Sequence, residues 1–146
     1  MLVRGKLSKS RMLAMDFFAD LLLTPQLKKH IIVNVVFRKK MKYLGLTHVE
    51  DYNIMGKPRE FTIDINRNQT EEEILKTIAH ELVHVRQYAM GYLNEEATMW
   101  QGRSMPRDIE YQDQPWEIEA EDVSEIIYEE YVNDRRTTCA TKSRAR

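Results

Sequence analysis

His80, Glu81 and His84 lie together in the run Thr77-Ile78-Ala79-His80-Glu81-Leu82-Val83-His84-Val85 and make the pattern His-Glu-x-x-His. On a helix, residues four apart share a face, one above the other. Two imidazoles so placed can hold one metal ion, and Glu81 beside them can reach a water on that metal. Zinc brings the pKa of such a water down to near neutrality, where a carboxylate can take its proton. These three residues therefore supply most of a hydrolytic centre within about a turn and a half of helix.

That reading needs a helix under the motif, and the surrounding residues provide one. Ile74, Ile78, Leu82, Val85 and Ala89 recur at helical spacing and form an apolar stripe. His80 and His84 project from a different face. Thr70 and Glu73 have the spacing of a capping box, and Gly91 is a natural stop after Met90. A helix over 70–90 is predicted.

A catalytic zinc usually takes three protein ligands and leaves one position open. No third histidine follows at close spacing, since position 87 is Gln and position 90 is Met, and His30 and His48 lie upstream on other elements. His48 reads as a surface or turn histidine. The remaining source is a carboxylate on the last helix, which opens at Pro115 and is predicted to run to about Val132. It offers Glu117, Glu119 and Glu121. Glu117 and Glu121 share a face, and Glu119 points away from it. One of the pair can bind the metal, and the other can accept the N–H of a ligating histidine and fix its orientation. Acids early in this helix also complement its dipole, a simpler role for any one of them.

The other segments read as supports. Residues 8–23 predict a core helix, with Met12, Leu13, Phe17, Leu21 and Ala14, Phe18, Leu22 as apolar stripes, bounded near Pro25. Ile31 to Phe37 is rich in β-branched residues and predicts a strand. Arg38, Lys39, Lys40 and Lys42 follow it, as a solvated edge that blocks strand association or as a phosphate-binding patch. Gly45 to Met55 predicts an extended stretch with Val49, Tyr52 and Ile54 buried. Gly56-Lys57-Pro58 predicts a hairpin turn into Glu60–Asn66, where Phe61, Ile63 and Ile65 alternate with polar residues. Ala97-Thr98-Met99-Trp100 predicts a short strand ended by Gly102, and Trp100 a core or cleft wall.

Bulk properties bound the reading. At 146 residues, with 42% hydrophobic and 31% charged residues, one domain over 1–134 is expected, followed by a basic flexible tail over 135–146. Net charge is −1, yet the charges are segregated. Residues 1–48 hold ten Lys/Arg against Asp16 and Asp20, and residues 106–134 hold eleven Asp/Glu against Arg107. Attraction between these halves within the fold is the plainer account. A weak nucleic-acid contact through the basic N-terminal region and tail is the sharper one. Cys139 is the only cysteine, so no intramolecular disulfide forms. No signal peptide and no membrane span are read, and a cytoplasmic location is expected, of a host cell if the protein is viral.

The run Ala79-His80-Glu81-Leu82-Val83-His84-Val85-Arg86-Gln87-Tyr88, then Trp100-Gln101-Gly102, then Pro115-Trp116-Glu117-Ile118-Glu119-Ala120-Glu121, resembles small zincin-like proteins common in phage genomes. These are similar to minimal gluzincins and to the SprT-like metallopeptidase group. The resemblance covers roughly residues 48–128. It implies Glu117 as the third zinc ligand and Glu121 as the acid that buttresses a histidine, where Asp is the commoner residue. It implies an α+β fold: a small twisted, mostly antiparallel sheet packed on the zinc helix, with an N-terminal and a C-terminal helix. An edge strand there can pair with an extended peptide, and residues 60–66 are the candidate for it. The implied activity is that of a zinc metallopeptidase on a peptide or protein substrate, with Glu81 as general base. Tyr111 and Tyr88 are the candidate oxyanion donors. Two alternatives stand beside it: a zinc-bound scaffold or regulator without turnover, and a SprT-like protease acting on DNA-bound proteins.

Overall fold

The computed structural model describes the backbone of residues 1–144 and the side chains of residues 1–138. In chain order the elements are β1 (Leu2–Gly5), α1 (Lys9–Leu22), α2 (Pro25–Lys28), β2 (Ile32–Arg38), β3 (Gly45–Tyr52), β4 (Pro58–Asn66), α3 (Glu71–Ala89), β5 (Met99–Trp100), β6 (Arg103–Ser104) and α4 (Pro115–Arg144). A short 3-10 turn, Tyr111–Asp113, precedes α4. The class is α+β, with a mixed four-stranded sheet in the order β1-β2-β4-β3 and a separate β5–β6 ribbon.

The sheet departs from the mostly antiparallel arrangement expected. β1 pairs with β2 in parallel, and so does β2 with β4; only β3–β4 is antiparallel. The physical reason lies in the connections. Parallel neighbours need a long crossover, and α1 and α2 supply it between β1 and β2. The turn at 53–57 instead folds β3 back on β4 as a hairpin, closed by Asn53 N–H to the Lys57 carbonyl at 2.9 Å. The hairpin leaves β3 at the edge and β4 inside. Residues 60–66 are thus paired on both sides and are not the edge strand; β3 is. β1 was invisible to periodicity because it holds only Leu2 and Val3 as strand formers, next to Arg4 and Gly5.

The core lies on one side of the sheet. Val33 and Val35 of β2 and Phe61, Ile63 and Ile65 of β4 are buried against Ala14, Met15 and Phe18 of α1 and Ile74, Ile78, Leu82 and Val85 of α3. The predicted alternation in β4 and the predicted stripe of α3 are both found. The other sheet face carries polar pairs, among them Arg4–Glu60 at 3.1 Å and Arg38–Asp64 at 2.9 Å. Tyr52 and Ile54, expected inside, are exposed. Register shifts between Val49 and Asp51 and between Asp51 and Tyr52 break the alternation. Ile54 sits in the hairpin turn.

Helix α3 begins as read, with Thr70 capping Glu73 N–H and Glu73 closing the box on the Thr70 N–H at 2.7 Å. Helix α4 buries Trp116, Ala120, Ile127 and Tyr131, while Ile118 and Ile126 are exposed. It continues past Val132 to Arg144, so 135–144 is helical backbone where composition predicted a flexible tail. No Pro or Gly follows Pro115, so nothing in the sequence stops the helix. The side chains of Lys142, Arg144 and Arg146, on which the basic-tail expectation also falls, lie outside the described residues. Among the described residues, no helix is long and apolar enough to cross a membrane.

This packing gives a contrast measurable by urea denaturation. Phe18→Ala, at a fully buried position, is expected to cost about 3–5 kcal/mol. Ile54→Ala, at a fully exposed one, is expected to change stability by less than about 0.5 kcal/mol.

Candidate metal centre

α3 presents His80 and His84 to the N-terminal turn of α4, which presents Glu117. One donor atom from each of the three side chains lies within 4.8 Å of the others. The closest separations are tighter: His84 Nε2 to His80 Nε2 is 3.2 Å, His80 Nε2 to Glu117 Oε2 is 3.3 Å, and His84 Nε2 to Glu117 Oε1 is 3.5 Å. Ligands at about 2.0–2.1 Å from a tetrahedral metal stand roughly 3.3–3.4 Å apart. The three donors therefore fit one cation of that size. The described residues contain no other such group of three.

The orientation of His84 is fixed from behind. Its Nδ1 lies 2.8 Å from Gln87 Oε1, which can only accept, so Nδ1 carries the proton and Nε2 keeps its lone pair for the site. Gln87 is fully buried. Its amide nitrogen donates to the Trp116 carbonyl at 2.9 Å and to Glu119 Oε2 at 2.8 Å. One amide thus ties a ligand on α3 to the first turn of α4. Glu119 lies away from Glu117, as helical spacing implies, and serves Gln87 instead of the metal. Gln87 is the residue that the sequence reading missed. Its signal was the i+3 spacing from His84, which puts it on the same face.

Glu121 faces His80 as the resemblance implies, but its Oε2 stands 3.7 Å from Nδ1 and its side chain is largely exposed. Of the two tyrosines, Tyr111 is brought to the site, donating to Glu117 Oε2 at 2.7 Å. Tyr88 stacks on Phe61, and among the described residues no hydrogen bond joins it to the ligands. His48 lies on the outer sheet face, 3.3 Å from Asp64, and His30 is exposed beyond α2.

Glu81 is buried beside the ligands. The Thr47 hydroxyl of β3 donates to its Oε2 at 2.7 Å and lies 3.2 Å from its carbonyl oxygen. Gly45 makes this approach feasible, since a β-carbon there would stand 2.5 Å from Glu81 Oε1 and 2.7 Å from Thr77 Cγ2. Neither Thr47 nor Gly45 has a local sequence signal, because strand and helix meet from distant parts of the chain.

The electrostatics follow from burial and crowding. Burial pushes the Glu81 carboxyl up, against the opposing pull of His84, Thr47 and His80. Burial alone would lower His84, but its hydrogen bond to Glu117 and the charges of Glu81 and Glu117 raise it. Burial would likewise raise Glu117, yet hydrogen bonds from His80 and His84, with the charge of His84, hold it well below the usual carboxylate range. Without a cation, then, the crowding favours the protonated form of His84 and the ionised form of Glu117.

Two measurements follow. Gln87→Met removes the acceptor behind His84 and is expected to weaken metal binding about 10–100-fold in chelator competition, with the helical signal retained. The second concerns pH. His84, raised in the folded metal-free chain, stabilises that fold fully below its unfolded pKa, and the contribution is lost as pH rises through the raised value. Metal needs His84 deprotonated, so affinity climbs over the same interval. The rise in melting temperature produced by saturating zinc should therefore widen as pH increases through the raised pKa of His84. No protein-family model, curated protein or solved structure matches this chain.

Proposed function

We propose that this chain is a zinc-dependent metallopeptidase of minimal gluzincin type, on a zincin-like fold. The observation that carries the reading is the convergence of His80, His84 and Glu117 donors at 3.2–3.5 Å, one residue from the buried carboxyl of Glu81. The gluzincin resemblance of the two helical motifs supports it. Two imidazoles and one carboxylate suit zinc and leave a fourth position open. Bound there, zinc supplies Lewis acidity toward a carbonyl oxygen and lowers the pKa of a water in the open position.

The chain's own residues do the rest. Glu81 accepts a proton from the attacking water and passes it to the leaving amine. Its burial raises its proton affinity, which suits the first of those transfers. Thr47 holds Glu81 Oε2 and so sets the plane of the carboxylate. Tyr111 is the better placed tyrosine to donate to a carbonyl oxygen as charge develops. Burial of its hydroxyl and the bond to Glu117 raise its pKa, so it stays protonated at neutral pH. β3 has one unpaired side, and Gly45 and Thr47 on it touch Glu81. An extended peptide adding to that side would pass its backbone beside the general base.

Zinc content and hydrolysis of an unfolded protein such as casein, compared for wild type, Glu81→Gln and Glu117→Ala, test this. Wild type should hold about one zinc and cleave. Glu81→Gln should keep zinc and lose activity by about 10²–10⁴-fold. Glu117→Ala should lose zinc. Wild type that binds no zinc when supplied, or Glu81→Gln that cleaves normally, ends the peptidase reading.

A further inference from the structure

Three lysines, Lys39, Lys40 and Lys42, stand in the loop between β2 and β3, and the backbone of Arg67 meets it from the loop between β4 and α3. The two loops are fastened together. Arg67 N–H donates to the Arg38 carbonyl at 3.0 Å, Asn66 N–H to the Leu44 carbonyl at 2.8 Å, and Asn68 Nδ2 to the Lys39 carbonyl at 3.0 Å. Gln69 Nε2 adds a bond to the Leu44 carbonyl at 3.1 Å. The result is an ordered platform with a shallow cavity of about 460 Å³ lined by Lys39, Lys40, Met41, Lys42, Asn66 and Asn68.

The acids that flank Arg67 in sequence are already committed. Asp64 pairs with Arg38 and His48, Glu71 with Arg11 and Glu72 with Lys76, while Glu73 closes the cap on Thr70. Among the described residues, none forms an ion pair with Lys39, Lys40, Lys42 or Arg67. Arg4, Arg11 and Arg38 pair with Glu60, Glu71 and Asp64, from the middle of the chain and not from the acidic stretch 106–134, and this cluster stays unneutralised. Strand-edge protection does not account for it either. β2 is paired on both sides, and the lysines follow it in a loop. Clustered like charges repel, so a fixed cluster of this kind favours an anion. Several unpaired cations grouped on one open surface suit a polyanion better than a lone phosphate. Tyr43 is half-exposed beside them, with Lys42 Nζ over its ring at 5.3 Å from the centre.

We propose that the Arg38–Leu44 loop and Arg67 form a binding platform for single-stranded nucleic acid, with the lysines on the phosphates and Tyr43 under a base. This is independent of the metal centre. The test is fluorescence anisotropy of a labelled oligothymidylate with the full chain, in chelator, across a range of salt. Binding should strengthen as salt falls, with a log–log slope of about −0.7 per phosphate engaged, or about −3 for four cations. K39E/K40E/K42E should weaken binding at least about tenfold and reduce the slope by about 2. Tyr43→Ala should weaken it about fivefold or more with the slope unchanged. K6E/K9E/K29E changes net charge equally at other exposed lysines and should leave the affinity near wild type. Absence of binding at low salt overturns the proposal. So does equal loss in both triple variants, which would mean a diffuse charge effect, or binding to anionic lipid vesicles but not to the oligonucleotide.

Discussion

Three lone-pair donors held 3.2–3.5 Å apart repel one another unless a positive charge lies among them. The fold must hold them there by other contacts. On α3 this falls to packing: nearly every side chain from Ile74 to Ala89 is buried, so the helix has little freedom to rotate and separate its histidines. On α4 it falls to Gln87, whose amide joins the Trp116 carbonyl and Glu119 to the imidazole of His84. The carboxylate that completes the site is therefore positioned by these contacts together with the Tyr111 hydroxyl that donates to it. A site prepared in this way spends little metal-binding free energy on rearrangement.

The sheet contributes through one strand. β3 brings Thr47 and Gly45 against Glu81, one as a donor and the other as empty space. All helices that contribute to the core cover the same sheet face. The opposite face relies on ion pairs such as Arg38–Asp64. Exposed pairs of that kind add little stability, so the single helix-facing core carries most of it.

What was legible in the sequence was local. The capping box at Thr70 and Glu73, the stripe from Ile74 to Ala89 and the alternation of Phe61, Ile63 and Ile65 each depend on spacing within one element, and each is found. The His80–Glu81–His84 motif belongs to the same class. Glu117 was reached by resemblance and helix spacing together, and the structure brings it to both histidines. What failed depended on pairing between distant segments. A four-residue β1 next to a glycine shows no periodicity, and the parallel order of the sheet follows from it. The bulges near Asp51 shift the alternation that placed Tyr52 and Ile54 inside. The contacts of Glu81 with β3 span 34 residues and leave no trace in spacing.

The central position of β4 also bears on how the chain assembles. Its antiparallel partner β3 is joined to it by a short turn, so that ladder closes at small entropic cost. Its parallel partner β2 lies across the whole hairpin, and β1 must in turn wait for a crossover through α1 and α2. Local ladders form sooner than distant ones. The order of closure then runs from β3–β4 outward to β2 and β1, and β1–β2 is the pairing most exposed to delay. The side of the sheet that contacts Glu81 would be built before the side that completes it.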